Sequence, residues 1–142
     1  MNITRFVFVI SLLVVLSILA TGCSPSEPAG LTNDEISTLT QNILTAIDTG
    51  DYPTFTLDFS SEMLTGFPED QFTQLRDLLH SASGNFVSVG ELSLSNKQEF
   101  ALYRIICKYA LEDVVVTIVF KIDGKQVEGL FFDSPNLRSA SK

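Results

Sequence analysis

Two thiols and one imidazole are the side chains of this 142-residue chain best suited to nucleophilic or proton-transfer work: Cys23, Cys107 and His80. A reactive thiol needs a nearby cation or a helix N-terminus to lower its pKa. Cys107 lies instead in an apolar, strand-like run, Leu102-Tyr103-Arg104-Ile105-Ile106-Cys107, where cysteine behaves as a small buried hydrophobe. His80 falls at the predicted end of a helix, where a cation favours the dipole. One histidine and one spare cysteine do not make a zinc set, so no metal is expected. Asp34-Glu35 and Glu69-Asp70 read as first-turn helix acids, and Glu112-Asp113 as a solvated turn between strands. Tyr52, Tyr103, Tyr109, Asp58 and Glu99 supply phenols and carboxylates, but no motif fixes them together. Tyr103 and Tyr109 read as core residues with the hydroxyl at the rim, and Asp58 as pointing to water. The chain has no glycine-rich phosphate loop, no Gly-x-Ser-x-Gly and no Cys-x-x-Cys. No catalytic set emerges, and no cofactor is expected.

Cys23 has a different chemistry, because of what precedes it. Residues 1–5 are polar with one positive charge, Arg5, and Phe6 to Ala20 is an apolar run broken only by Ser11 and Ser17. Such a run is short for a membrane span of about 20 residues and suits the core of a signal peptide. Leu19-Ala20-Thr21-Gly22-Cys23 follows. Small residues at 21 and 22 let the chain lie extended in a peptidase groove, and the thiol accepts a diacylglyceryl group. The segment resembles the lipobox of bacterial and archaeal lipoproteins, with Ala20 standing where leucine is commonest. Residues 1–22 are therefore expected to be a lipoprotein signal peptide, with cleavage before Cys23 and lipid on Cys23. Two acyl chains meet the requirement for stable anchoring. With Cys23 lipidated, Cys107 has no disulfide partner in the chain. Residues 23–33 hold Pro25, Pro28, Gly30 and several small polar residues, the composition of a flexible tether.

Charge narrows the partners. Net charge is −8, and only Arg5 of the charged residues lies in the leader, which leaves 8 basic and 17 acidic residues, net −9. Nucleic-acid binding rests on neutralising phosphates with Lys and Arg, so no nucleic acid is expected. Adhesion to anionic lipid through charge is equally disfavoured, so the membrane tether should be covalent. Beyond the leader, the length suits a single domain.

That domain must position whatever chemistry exists. Thr32-Asn33-Asp34-Glu35 fits a capping box, Ile36, Leu39, Ile43, Leu44 and Ile47 repeat at helical spacing, and Gly50 serves as C-terminal cap. A short helical piece with Pro53 in its first turn carries Phe55 and Phe59 and ends near Ser60-Ser61. A further helix over Pro68 to His80 presents Phe72, Leu75, Leu78 and Leu79. After Gly84 the period changes to about 2. Strands are predicted over Phe86–Leu94, Phe100–Ala110, Val114–Ile122 and Gln126–Phe132, with a bend at Gly90 and a tight hairpin at Asp123-Gly124. Tyr103, Ile105, Cys107 and Tyr109, with Val114, Val116, Ile118, Phe120 and Ile122, should face the helices. Arg104, Ile106 and Lys108, with Val115, Thr117, Val119 and Lys121, should form an outer face. Residues 134–142 read as a polar, frayed tail. Helices followed by an antiparallel meander make an α+β fold.

The pattern resembles a known family. Asp48-Thr49-Gly50-Asp51-Tyr52, then Phe55-x-x-x-Phe59-Ser60 with Met63, a Phe72/Leu75/Leu79 helix leading to Gly84, and a closing Asp123-Gly124-Lys125-Gln126-Val127-Glu128-Gly129-Leu130 are similar to the DUF3887 family, over roughly residues 34–133. That family belongs to the NTF2-like, cystatin-like group, in which N-terminal helices pack on a curved four-stranded antiparallel sheet to form a cone. The resemblance implies a fold and no mechanism, since one fold hosts many functions. It also implies a possible pocket at the wide end, for which Tyr103, Cys107, Tyr109 and Phe120 are the candidate lining. Some NTF2-like relatives are isomerases using a carboxylate and a tyrosine, so a small pocket enzyme of the isomerase or hydrolase kind is the alternative expectation. The leading one is a membrane-anchored, extracytoplasmic binding or protein-interaction domain, its ligand unspecified. Val115, Thr117 and Val119 on the outer face suggest a sheet-to-sheet homodimer.

Overall fold

The computed structural model describes residues 30–140. Cys23, the leader and most of the tether lie outside the described residues. Packing begins at Leu31, earlier than the expected end of the tether at residue 33: Leu31 is buried in the core. Helix α1, Asn33–Thr49, starts on the expected reciprocal cap, with the Glu35 N–H donating to Thr32 Oγ1 at 3.2 Å and the Thr32 N–H to Glu35 Oε2 at 2.8 Å. It ends at Gly50, whose φ of 78° is the left-handed conformation glycine adopts at least cost. Ile36, Ile43, Leu44 and Ile47 bury one face of it.

The helical piece expected to reach Ser60-Ser61 ends at Phe55, and a further helix follows it. Helix α2, Tyr52–Phe55, is capped by Asp51, whose Oδ1 accepts from the Thr54 N–H. Helix α3, Ser61–Gly66, is capped by Ser60, whose Oγ accepts from the Met63 N–H. Between them Phe59 and Ser60 leave helical geometry to pair with Val127, the Val127 N–H donating to Asp58 O at 2.8 Å and the Ser60 N–H to Val127 O at 3.0 Å. Helix α4, Glu69–Ala82, buries Phe72 and Leu79. Phe55 gathers Phe59, Phe67 and Phe72 at ring separations of 4.8, 5.6 and 4.8 Å, so aromatic rings lock the short helices to the long one.

Four strands follow in simple order: β1 Phe86–Lys97, β2 Phe100–Tyr109, β3 Asp113–Lys121 and β4 Val127–Asp133, each antiparallel to the next. Register shifts within β1, and a further one opposite Val119 and Phe120, bend the sheet. At one of them a Cβ on Gly90 would run into the Ile106 carbonyl oxygen, so only glycine fits there. The tight two-residue connection lies at Gln98-Glu99, where Gln98 takes a φ of 57°. Asp123-Gly124, expected to make such a turn, opens a wider one instead. The Gly124 N–H closes onto Lys121 O at 2.9 Å, and pairing resumes only at Val127.

The tail is also corrected. Pro135–Ala140 forms helix α5, with Leu137 buried in the core and Ser134 Oγ accepting from the Leu137 N–H at 3.1 Å. Burial of Leu137 and a polar anchor at Glu112 hold it against the fold. The whole is an α+β domain with helices packed on a curved, open antiparallel sheet, consistent with an NTF2-like cone.

Candidate functional site

The alternation of β2 and β3 sorts their residues as expected, except that β3 ends at Lys121 and leaves Ile122 half-buried in the following turn. Tyr103, Ile105, Cys107, Tyr109, Val114, Val116, Ile118 and Phe120 are all buried beneath the helices. These include the four candidate pocket residues. Tyr103 and Phe120 meet edge to face at 5.7 Å, and Cys107 is a buried free thiol. Burial pushes that thiol up to about 12, with the Gly90 N–H acting weakly the other way. It is therefore protonated and unreactive at neutral pH. The interior side of the sheet is occupied by packed side chains, and three surface hollows formed by described residues are lined by none of the four.

Tyr109 keeps a polar neighbourhood. Its ring meets Phe86 at 5.8 Å, and the Phe86 N–H donates to Asp48 Oδ1 at 3.2 Å. His80 Nε2 donates to the same oxygen at 2.8 Å. The last turns of α1 and α4 and the start of β1 thus converge on one carboxylate. Burial raises the Tyr109 phenol, and the charge of Asp48 raises it further, so it stays protonated. His80, read from sequence as a helix-end cation, has a specific partner 32 residues away, which no local pattern could reveal. Tyr52 is likewise structural, its hydroxyl donating to Phe67 O at 2.9 Å. Asp58 is exposed.

Glu112 was expected to sit in water. It is instead an anchor: Ser83 Oγ and Ser134 Oγ each donate to Oε1 at 2.6 Å, and the Asn136 N–H donates to Oε2 at 3.2 Å. Burial alone would raise its pKa, but the two hydroxyls, the Asn136 N–H and Arg138 more than offset it, and the net direction is down. The role is to tie α4, the β2–β3 turn and α5 together.

The outer face of the sheet differs from both. Leu102, Arg104 and Ile106 on β2 stand opposite Val119, Thr117 and Val115 on β3, and Phe131 on β4 stands opposite Thr117. Ile106 is 44% and Phe131 62% exposed. A hollow of about 280 Å³ opens beside them, lined by Glu91, Leu92, Ser93, Arg104, Ile106 and Val115. Arg104 forms no ion pair with a described residue. Among the described residues there is no cluster of three metal-ligating side chains, and no helix is long and apolar enough to cross a membrane.

Helices leading into a four-stranded meander, with a filled interior and an apolar outer face, define a small α+β domain in which no catalytic constellation is assembled among the side chains described above. The chain belongs to the DUF3887 family, described as protein of unknown function, whose model matches residues 40–130. No curated protein and no solved structure shows significant similarity to it.

Proposed function

We propose that this chain is an extracytoplasmic lipoprotein, anchored through lipid on Cys23, whose domain is a non-catalytic interaction module working through the outer face of the sheet. The observation that carries the reading is that face. An antiparallel sheet with one face on the core normally presents polar residues on the other. Here the exposed Ile106 and Phe131 share the face with half-buried Leu102, Val115 and Val119, and exposed apolar side chains gathered on one face support an interaction site. The first partner is a second copy of the chain. The face carries both Arg104, which forms no ion pair with a described residue, and the exposed Glu91, a pair of opposite charges that the reciprocal contacts of a two-fold interface can use twice. Assignment to the NTF2-like superfamily belongs to the same proposal and is supported by the helix-on-curved-sheet architecture.

The anchor is tested in the host cell. Wild type should sediment with membranes and yield an N-terminal peptide carrying the mass of a diacylglyceryl group, while Cys23→Ser should keep its leader or leave the membrane fraction. An unmodified Cys23 in the wild-type chain would defeat this half of the proposal.

A further inference from the structure

The sheet is open, so it has two edges, β1 and β4, and they differ. An unpaired edge strand offers a row of free N–H and C=O groups to any strand that can lie beside it. On β4 that row is interrupted where Val127 donates to Asp58 O and accepts from the Ser60 N–H. On β1 no described residue bonds to the backbone of residues 87–97 from the open side. Register shifts between Phe86 and Ser88 and between Val89 and Leu92 break the first half of β1. From Leu92 to Lys97 it pairs with β2 residue for residue, a regular run that stops at the Gln98-Glu99 turn. Bulges protect an edge from pairing, and this half has none. Its side chains are also complementary to the same run turned end for end. Ser93 and Ser95 stand beside Arg104 and Leu102 on the outer side, and Glu91 and Lys97 continue their row. Both charged residues are exposed, and neither forms an ion pair with a described residue. Leu94, midway between them, stands beside buried Tyr103 yet is itself 38% exposed.

We propose that the second half of β1 is a self-pairing edge, on which a second copy adds its own β1 antiparallel about a two-fold axis at Leu94. In that register Glu91 stands opposite Lys97 of the second copy, Lys97 opposite its Glu91, Ser93 opposite its Ser95, and Leu94 opposite itself. Residues directly opposite in an antiparallel pair share a face and touch, so each charge meets its complement and the two leucines cover one another. A lysine at a strand edge ordinarily discourages pairing. Here the two opposite-charge pairs favour one register instead. The inference goes beyond the outer-face reading and does not rest on it, because one contact uses the face of the sheet and the other its edge. The edge contact is the smaller and more exposed of the two. It therefore joins chains only at high local concentration and adds nothing to the mass measured in dilute solution.

The test is disulfide trapping of the concentrated, detergent-solubilised full chain, with Phe131→Glu on the far strand so that the outer face takes no part. Cys107 is buried, and the parent chain with no added cysteine sets the background. The Leu94→Cys variant places a thiol opposite its own copy, and mild oxidation should give a covalent dimer on a non-reducing gel. The Leu57→Cys variant measures chance collision, since Leu57 is 77% exposed but lies off the edge, and it should trap far more slowly. Adding Lys97→Glu to Leu94→Cys sets like charges opposite one another at both ends and should slow trapping roughly tenfold. Adding Glu91→Lys as well should restore the rate. An unchanged circular dichroism spectrum shows that each variant is folded. Trapping of Leu94→Cys no faster than Leu57→Cys overturns the proposal, as does a Lys97→Glu variant that keeps its parent's rate or is not restored by the swap. Failure of the outer-face reading is recorded separately, as a wild-type chain that stays monomeric, and leaves these rates unmoved.

Discussion

The two faces of one sheet are written by the same strands, residue about residue, yet they are built for different ends. On the inner face Tyr103, Ile105, Cys107, Val116, Ile118 and Phe120 are wholly buried, and the helices close over them. On the outer face Ile106 and Phe131 remain in water beside half-covered Val115 and Val119. Among the described residues the inner face is filled by packed side chains. An exterior that keeps apolar side chains where polar ones would serve solubility better is the feature on which the proposed contact rests. The difference moves the search for function from the cone's interior to its back.

The sharpest way to break that comparison is to cut a large side chain from each face. Phe120→Ala should cost about 3–5 kcal/mol, because the cavity it leaves cannot collapse fully. Val119→Ser, its neighbour on the outer face, should change stability by no more than about 0.5 kcal/mol. Chemical denaturation of both variants checks the pair. A mild Phe120→Ala would mean the interior already has slack, and would restore the pocket reading.

The second prediction concerns what holds the inner layer shut. Glu112→Ala removes the shared acceptor of Ser83, Ser134 and the Asn136 N–H, and should cost about 2 kcal/mol, with the loss greatest in α5. Its pH dependence has a definite sign. The carboxyl is held below its ordinary value of 4.5 in the fold, so its contribution is fully present above that value and is lost as pH falls through the lower folded pKa. Acid titration of stability should therefore be shallower in Glu112→Gln than in wild type. A steeper curve would contradict the assignment.

The smallest effect lies at the edge of the outer face. Gln98 takes a φ of 57° at the β1–β2 turn, a conformation that disfavours any residue with a Cβ. Gln98→Gly should relieve that strain and stabilise by up to about 1 kcal/mol, net of the added chain entropy. Destabilisation on denaturant unfolding would show that the side chain is held by contacts outweighing the strain.

Much of this frame is legible in the chain. The Thr32/Glu35 box and Gly50 bracket α1, because capping is encoded within four residues of each end. The alternation of β2 and β3 assigns both sheet faces, because the side-chain period of a strand is two. What is not legible depends on distance or on short signals. Helix α5 offers a single core residue, Leu137, too little for a period, although Ser134-Pro135 is a valid helix start. Glu112 looks like a solvated turn acid because its partners lie 22 to 29 residues away. His80 and Asp48 meet across 32 residues. The turn at Gln98 has neither Gly nor Asn to mark it, while Asp123-Gly124 advertises a tighter turn than the bulged pairing beside it allows. The outer-face residues of β2 and β3 follow from the alternation, but Phe131 joins them only once the β3–β4 register is known.

The central claim is that the outer face is where this domain meets its partner. The most direct measurement is sedimentation equilibrium of the detergent-solubilised full chain and its Ile106→Glu variant, across a wide concentration range. Wild type should approach the mass of a dimer as concentration rises. Ile106→Glu should remain monomeric with an unchanged circular dichroism spectrum, since a charge in the middle of an apolar contact is costly and the same charge on a free surface is not. A wild-type chain that stays monomeric throughout, indistinguishable from the variant, would contradict the account.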